Sequence, residues 1–287
     1  MITQEKINKS INLLKKAERL ALKYSSEGFY LAFSGGKDSQ CIYHLAKLAG
    51  VRFKAFYNVT TIDPPELMRF IRKNYSDVIW NRNELTFYNL IRKKKMLPTQ
   101  IMRYCCKYLK ERGGEGQVVI TGVRRAESVK RSRRNSIEIS SHKFSGNFDE
   151  FNAVYHTNDE GLEHRCISGK DRIIINPIID WNDNDVWSFI KEYLKIEYCE
   201  LYDKGWRRIG CLLCPMCRKS EQRKYLKEYP NIKNGILSVI KDLKKEWRKK
   251  GYKEFESLSE QEILEWWIIK KNIRSYIADK KQLKLDL

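Results

Sequence analysis

Ile7, Ile11, Leu14, Ala17 and Ala21 return at steps of three and four, with Lys15, Lys16, Glu18 and Arg19 between them. That period places the apolar set on one face and predicts an amphipathic helix over 3–24, ended by Gly28. The pattern then changes. Residues 29–33 (FYLAF) form a continuous apolar run of strand length, followed by SGGKDS and a helical pattern to about Ala49. Residues 52–59 (RFKAFYNV) predict a second strand, and Asp63 before Pro64 and Pro65 predicts a helix start, continued by ELMRFIRKNY. A short third strand is expected over 78–80, a helix near 85–95, and another helix carrying Cys105 and Cys106. Gly113, Gly114 and Gly116 predict a turn before the strand QVVITGV. The mixed polarity of 135–170, with alternation in SIEIS and FNAVYHT, predicts a hairpin-bearing insertion. Residues 172–178 (RIIINPI) predict the last strand, and Asn182 or Asp183 caps a helix containing VWSFIKEY. After about Lys204 come closely spaced cysteines and then helices, with Trp247, Trp266 and Trp267 expected in their core. Strands alternating with helices predict an α/β fold: a mostly parallel, doubly wound sheet with helices on both faces, plus a helical carboxy-terminal region.

Composition narrows the class. With 287 residues and 42% hydrophobic side chains, the chain can bury a sizeable core and is not disordered. No apolar run approaches the roughly 18 residues that would span a bilayer. The opening MITQEKINKSINLLKKAERLALKY lacks the apolar centre of a secretory signal, so a cytoplasmic protein with no membrane partner is expected. Eight cysteines in such a chain are expected to be reduced, serving as ligands or nucleophiles. The formal charge of +20 suits a polyanionic partner, a nucleotide or a nucleic acid, as well as a lysine-coated solvated surface. It is uneven: residues 124–134 hold six basic side chains and one acidic one, and residues 204–287 hold 22 basic against 11 acidic.

The candidate chemistry starts at Ser34-Gly35-Gly36-Lys37-Asp38-Ser39. A strand, a glycine turn and a helix start make a phosphate site, because glycines admit backbone N–H groups to the oxygens and the helix N-terminus favours negative charge. It is not a Walker loop, since Asp38 stands where that motif has Ser or Thr. Further segments follow in order: TTIDPPEL (60–67), Arg103-Tyr104-Cys105-Cys106, Gly122-Val123-Arg124-Arg125-Ala126-Glu127-Ser128, Asn176-Pro177-Ile178-Ile179-Asp180-Trp181 with Asp185-Val186-Trp187, Leu201-Tyr202-Asp203, and Arg208-Ile209-Gly210-Cys211-Leu212-Leu213-Cys214. By spacing alone, C-x-x-C suits zinc, a redox pair or an iron–sulfur cluster.

This ordered set, over roughly residues 28–217, resembles the phosphoadenosine phosphosulfate (PAPS) reductase family of the adenine-nucleotide α-hydrolase-like superfamily, whose PP-loop is the SGGKDS segment. The resemblance implies three regions: an amino-terminal helix (1–26), a PP-loop α/β nucleotide-binding domain (27–203, with the 135–170 insertion), and a cysteine cluster with a basic helical region (204–287). It implies a nucleotide site of Ser34, Gly35, Gly36, Lys37, Asp38, Ser39, Gly122, Arg124, Arg125 and Ser128. Within it, Lys37, Arg124 and Arg125 balance phosphate or sulfate charge, and Asp38 holds Mg²⁺ if the substrate is ATP. It implies a [4Fe-4S] cluster on Cys105, Cys106, Cys211 and Cys214, with Zn²⁺ as the alternative and Cys217 as a substitute ligand. Cys41 is expected in the core, and the histidines show no metal spacing.

Three activities fit this resemblance. The first is cleavage of ATP to AMP and pyrophosphate, adenylating an acceptor for sulfur transfer; nucleic acid is a fitting acceptor and a sulfur-donor protein a fitting partner. The second is reduction of an adenylyl sulfate, which needs a mobile nucleophilic cysteine. The end KKQLKLDL carries none, and no cysteine follows Cys217, so this chain alone is expected not to release sulfite unless Cys166 serves. The third is a non-catalytic nucleotide-binding partner.

Overall fold

Leu14, Ala17 and Ala21 are fully buried along one face of α1 (Gln4–Tyr24), and Leu20 takes the seat expected of Ile11, which stays half-buried. The structure, a computed structural model, describes residues 2–111, 113–140 and 171–285. The histidines and the cysteine of the expected insertion (His142, His156, His164 and Cys166) lie outside the described residues. Thr3 caps α1 by accepting the Lys6 N–H, and Ser10 donates to the Pro177 carbonyl at 2.6 Å, a buried bond that fastens the helix to the loop after the last strand.

The chain divides into two compact units. The first is Met1–Asn58, Pro65–Asn81 and Arg112–Ile209; the second is Val59–Pro64, Arg82–Glu111 and Gly210–Leu287. Neither follows the linear order of the chain, because residues 82–111 group with the tail and α1 groups with the sheet.

Among the described residues the sheet has six strands: β1 (Phe29–Phe33), β2 (Phe53–Val59), β3 (Ile79–Arg82), β4 (Val118–Ile120), β5 (Ile137–Ser140) and β6 (Arg172–Ile175), in the order β3-β2-β1-β4-β6-β5. β1 pairs in parallel with β2 (Leu31 beside Ala55) and with β4 (Leu31 beside Ile120), and β4 pairs in parallel with β6. β5 is antiparallel to β6, with Ile137 opposite Ile175, and this edge strand is the described part of the expected insertion. Its inward Glu138 is buried and neutralised by Arg134 at 2.6 Å. From β1 the chain winds outward to β3, then returns to lay β4 on the other side of β1. Such a reversal opens a crevice beyond the carboxyl ends of the two strands. Among the described residues, the α-helices of this unit are α1, α2 (Lys37–Ala49), α3 (Pro65–Asn74), the short α6 (Val129–Ser132) and α7 (Asp183–Ser188), which runs on as a π-helical turn over Phe189–Tyr193.

The second unit is helical: α4 (Phe87–Lys94), α5 (Tyr104–Leu109), α8 (Lys219–Glu228), α9 (Pro230–Lys249), α10 (Glu260–Ile269) and α11 (Ile273–Leu285). Ile236, Val239, Ile240, Leu243 and Trp247 line one face of α9 and meet Phe87, Leu90 and Ile91 of α4. Trp247 donates its indole N–H to the Lys95 carbonyl at 2.9 Å and Trp267 donates to that of Pro98 at 2.7 Å, so both rings are buried with their polar atom satisfied. Trp266, one helical step from Trp267, is only half-buried and bonds the Lys271 carbonyl.

One titratable group in α2 makes acid stability measurable. His44 lies among Tyr43 and Tyr75, its Nε2 3.3 Å from the Tyr75 hydroxyl, and burial with help from Lys47 lowers its pKa to about 4. Unfolded histidine titrates near 6.5, so as pH falls from about 6.5 to about 4 the unfolded chain takes up a proton that the folded chain refuses. The stability held above that window is lost through it. Between pH 7 and 4.5 the native protein should lose about 2 kcal/mol more in urea unfolding than His44→Gln. Equal acid losses in the two proteins would remove His44 from the account.

Candidate functional site

Within the first unit, β1 runs directly into the turn Ser34-Gly35-Gly36, and α2 begins at Lys37 with Gly36 as its cap. Gly35 has φ +71°, and a Cβ there would lie 2.7 Å from both Ile71 Cδ1 and Leu67 Cδ1 of α3. The turn therefore needs glycine twice over, for its backbone region and for its closeness to a helix. Ser39 donates to the Gly36 carbonyl at 2.8 Å and receives the Ser34 hydroxyl at 3.2 Å, a chain that holds the turn closed on the helix. The Lys37 backbone N–H, one of the free donors of the helix start, is held by the Tyr202 hydroxyl at 2.9 Å.

Charge converges on this helix start. Arg124, 2% exposed, reaches from the loop after β4 and donates Nε to Asp38 at 2.7 Å and Nη2 to Asp183 at 2.8 Å. Lys37 Nζ donates to the same Asp183 Oδ1 at 3.0 Å. Two cations thus meet one carboxylate oxygen, and the carboxylate they share belongs to a side chain that is 72% exposed. Burial opposes its ionisation, but Lys37 and Arg124 outweigh burial and hold the Asp183 carboxyl below the usual range. Arg124 moves the other way: burial alone would lower it, and Asp38 and Asp183 together raise it.

Local chemistry explains why Asp183 is available. Asn182 is the cap of α7, accepting the Asp185 N–H at 2.9 Å while Asp185 accepts the Asn182 N–H at 2.8 Å. The reciprocal cap satisfies the helix start, and Asp183, the first residue inside, turns its carboxylate toward Lys37 and Arg124. Gly122 acts by being small. A Cβ there would stand 3.0 Å from the Asp38 backbone, so glycine lets the β4 exit loop approach α2 and deliver Arg124.

The structure thus brings together Ser34, Gly35, Gly36, Lys37, Asp38, Ser39, Gly122 and Arg124. It places Arg125 and Ser128 elsewhere. Arg125 is paired with Asp180 and donates Nε to the Arg134 carbonyl at 2.9 Å, while Ser128 caps α6 by accepting the Arg131 N–H. Cys41 is fully buried behind the helix start, with burial and Asp38 pushing its thiol well up. The sequence assigns neither Asp183 nor Tyr202 to the nucleotide site. Asp183 was legible only as a capping candidate, and nothing in Leu201-Tyr202-Asp203 tells that its phenol reaches a backbone donor 165 residues away.

The cysteines read as metal ligands, Cys105, Cys106, Cys211, Cys214 and Cys217, all lie in the second unit. α5 carries Cys105 and Cys106, and the Leu212 N–H donates to the Ile62 carbonyl at 3.0 Å, pinning the Cys211-x-x-Cys214 turn against residues 59–64. Cys105 hydrogen-bonds Cys106 and is pushed up by that bond, by burial, and by the nearby Cys106, Cys211 and Cys214; Cys106, the acceptor, is lowered. Burial raises Cys211 while the Lys110 ammonium works against it, and Thr60 Oγ1 stands 3.5 Å from its sulfur. Cys217 follows as a further turn, its N–H on the Cys214 carbonyl at 3.0 Å and its own carbonyl receiving Lys270 at 2.6 Å. Four thiols that feel one another beside a lysine form a donor set suited to a thiolate-bound metal group. Among the described residues, no three His, Cys, Asp or Glu side chains converge as a single ion requires.

An α/β sheet with a phosphate-type loop at its reversal point defines a class, and comparison identifies the family within it. The phosphoadenosine phosphosulfate reductase domain model matches residues 28–217, and the chain belongs to that family. It is 29% identical over 248 residues to the uncharacterized protein MJ0973 of Methanocaldococcus jannaschii, covering 81% of this chain and 52% of that protein. It is 25% identical over 240 residues to MJ0066 of the same organism, covering 77% of this chain and 44% of that one. The chain therefore spans about half the length of these curated relatives. Among solved structures, the PAPS reductase of Candida auris in a phosphate complex aligns with a TM-score of 0.45 at 18% identity, over 74% of this chain and 96% of the other. No helix among the described residues is long and apolar enough to cross a membrane.

Proposed function

We propose that the first unit binds an adenine nucleotide and cleaves ATP between its α- and β-phosphates, adenylating an acceptor for sulfur transfer. One observation carries the nucleotide reading: Lys37 Nζ and the buried Arg124 guanidinium both point at a single oxygen of a mostly exposed carboxylate, 3.0 and 2.8 Å away. A phosphate oxygen entering from solvent can replace that carboxylate without leaving either cation unpaired. In the reaction the acceptor's oxygen or sulfur attacks the α-phosphorus, the bond to the bridging oxygen breaks, and pyrophosphate leaves with the electron pair. Lys37 and Arg124 stabilise the charge that builds on the departing oxygens. Tyr202 orients the loop through the Lys37 N–H. Asp38 Oδ1 is taken by Arg124, while Oδ2 has, among the described residues, only Lys37 at 3.4 Å, which leaves an oxygen suited to a hard cation. Mg²⁺ bound with ATP would neutralise phosphate charge there. The acceptor class we favour is nucleic acid, on the strength of the +20 charge, with a sulfur-donor protein as the second partner.

The thiols of the second unit suit a [4Fe-4S] cluster held by Cys105, Cys106, Cys211 and Cys214, with Cys217 as the spare ligand; Zn²⁺, the alternative, would need three or more of these side chains to draw closer than they stand. Such a group would fasten residues 104–109 to the turn at 211–214, stabilising the unit.

The test is incubation of anaerobically purified protein with Mg²⁺–ATP and, separately, with adenylyl sulfates. Pyrophosphate and AMP are expected from ATP, with water taking the place of the absent acceptor at the α-phosphorus, and both should be lost in Lys37→Ala and reduced at least tenfold in Asp38→Asn. Sulfite from an adenylyl sulfate would move the reading to a reductase, and binding without turnover of either would leave a nucleotide-binding partner.

A further inference from the structure

The second unit carries a cavity of about 500 Å³ that none of the chemistry above uses. One wall is the last turns of α9, where Lys241, Lys244, Lys245 and Arg248 recur at the spacing of one helical face. Tyr252 and Phe255, beyond the end of α9, also line it. The acids of the same helix do not line the cavity: Asp242 holds Arg92 at 2.8 Å, and Glu246 holds Lys95 at 2.6 Å and Lys249 at 3.3 Å. Two carboxylates do reach the cavity, Glu256 at 3.4 Å from Arg248 and Glu260 at 3.6 Å from Lys244. With Lys249, five lining cations stand against those two acids, a net charge of +3. Lys244 is tied down on the Leu258 carbonyl at 2.6 Å, whereas Lys241 and Lys245 are exposed and have no ion pair among the described residues.

Charge alone would accept any anion, and the aromatic wall narrows the choice. Tyr252 is 47% exposed, which leaves its ring open to a ligand in the cavity. Phe255 packs on Trp247 at 4.3 Å between ring centroids and on Trp266 at 5.2 Å, so the aromatic surface behind the cavity is rigid. A nucleotide presents both complements at once, a flat base for the rings and a phosphate for the lysines, and an acidic peptide presents only the second. In a duplex the base faces are hidden in the stack, so a single strand is the form that reaches both walls.

We propose that this cavity docks single-stranded nucleic acid, with phosphates on Lys241, Lys245 and Arg248 and a base against Tyr252 and Phe255. It gives the acceptor class named above a place on the chain, yet binding is measurable with no adenine nucleotide present, so either reading can fail without the other.

The full chain is titrated into labelled 12-mers of oligouridylate and oligodeoxythymidylate, a duplex of equal length and a polyglutamate peptide, read by fluorescence anisotropy. The single strands should bind, and affinity should fall roughly 20-fold between 50 and 200 mM NaCl for three phosphate contacts. Lys241→Glu with Lys245→Glu should weaken binding at least tenfold and flatten the salt slope. Tyr252→Ala should weaken it about tenfold at an unchanged slope. Lys15→Glu with Lys195→Glu, the same charge change on exposed positions of the first unit, should stay within twofold. A ribose or a deoxyribose strand satisfies the proposal, and the ratio of their affinities identifies the source. No binding at 50 mM salt, equal affinity for duplex or polyglutamate, or an equal loss in the control pair would overturn it.

Discussion

Replacing Arg124 by alanine is expected to cost about 3–5 kcal/mol of stability and to abolish nucleotide binding. The guanidinium is 2% exposed and engages Asp38, Asp183 and the Trp181 carbonyl, so its loss leaves Asp38 charged, partly buried and held only by the longer contact to Lys37. Removing one partner of a desolvated pair is worse than removing both, because the survivor keeps its desolvation penalty. The double variant Arg124→Ala with Asp38→Asn should therefore recover about 1–3 kcal/mol of the single loss. Arg124→Lys should recover little, since one ammonium cannot span two carboxylates as a planar fork does. In thermal unfolding the single alanine variant should melt roughly 10 °C lower. A loss below about 1 kcal/mol, or an additive double variant, would show that the pair is solvated and not the buried anchor of the loop.

Gly35→Ala should be almost as damaging, at about 2–5 kcal/mol. About 1–2 of that is the left-handed backbone at φ +71°, and the remainder is overpacking against Ile71 and Leu67, 2.7 Å from the new Cβ. Gly50 provides the control. It ends α2 at φ +69°, and a Cβ added there would meet nothing within 4 Å, so Gly50→Ala bears the strain without the crowding. The difference between the two urea midpoints isolates the crowding. ATP should stabilise the Gly50 variant as it does the parent chain, by about 2.7 kcal/mol at a hundredfold excess over Kd, and leave the Gly35 variant unmoved. Equal costs for the two substitutions would mean that α3 yields and that the turn is not held by it.

Element type was legible wherever one face of an element is buried, because burial imposes its period on the residues. The helix at 4–24 and the strands at 29–33 and 53–59 follow from the placing of Leu14 and Ala17, from the apolar run FYLAF and from the mixed apolar and polar RFKAFYNV. The loop at 34–39 could be read for the same kind of reason. A glycine pair between a strand and a helix start has few backbone conformations and one obvious chemistry. Arg124 was marked, together with Arg125, by the family resemblance of the 122–128 segment, and its place after a strand agrees, since parallel strands present their carboxyl ends to ligands.

What lay beyond the sequence are pairings between residues far apart in the chain. Nothing local distinguishes Arg124 from Arg125, yet one is buried against Asp38 and Asp183 and the other lies at the surface on Asp180. The difference is which way the β4 exit loop faces once Gly122 lets it close on α2. Asp183 looked like a cap, and only the reciprocal bonds of Asn182 and Asp185 released it for Lys37. The grouping of residues 82–111 with the tail was equally hidden, because Trp247 finds the Lys95 carbonyl and Trp267 that of Pro98 across more than 150 residues. Local patterning dictates which face of an element must be buried, whereas the partner that covers it is chosen by packing the whole chain at once. The elements and the phosphate-type loop were therefore written in the order of residues, and the ion pairs that set the charge of the site arose only from the fold.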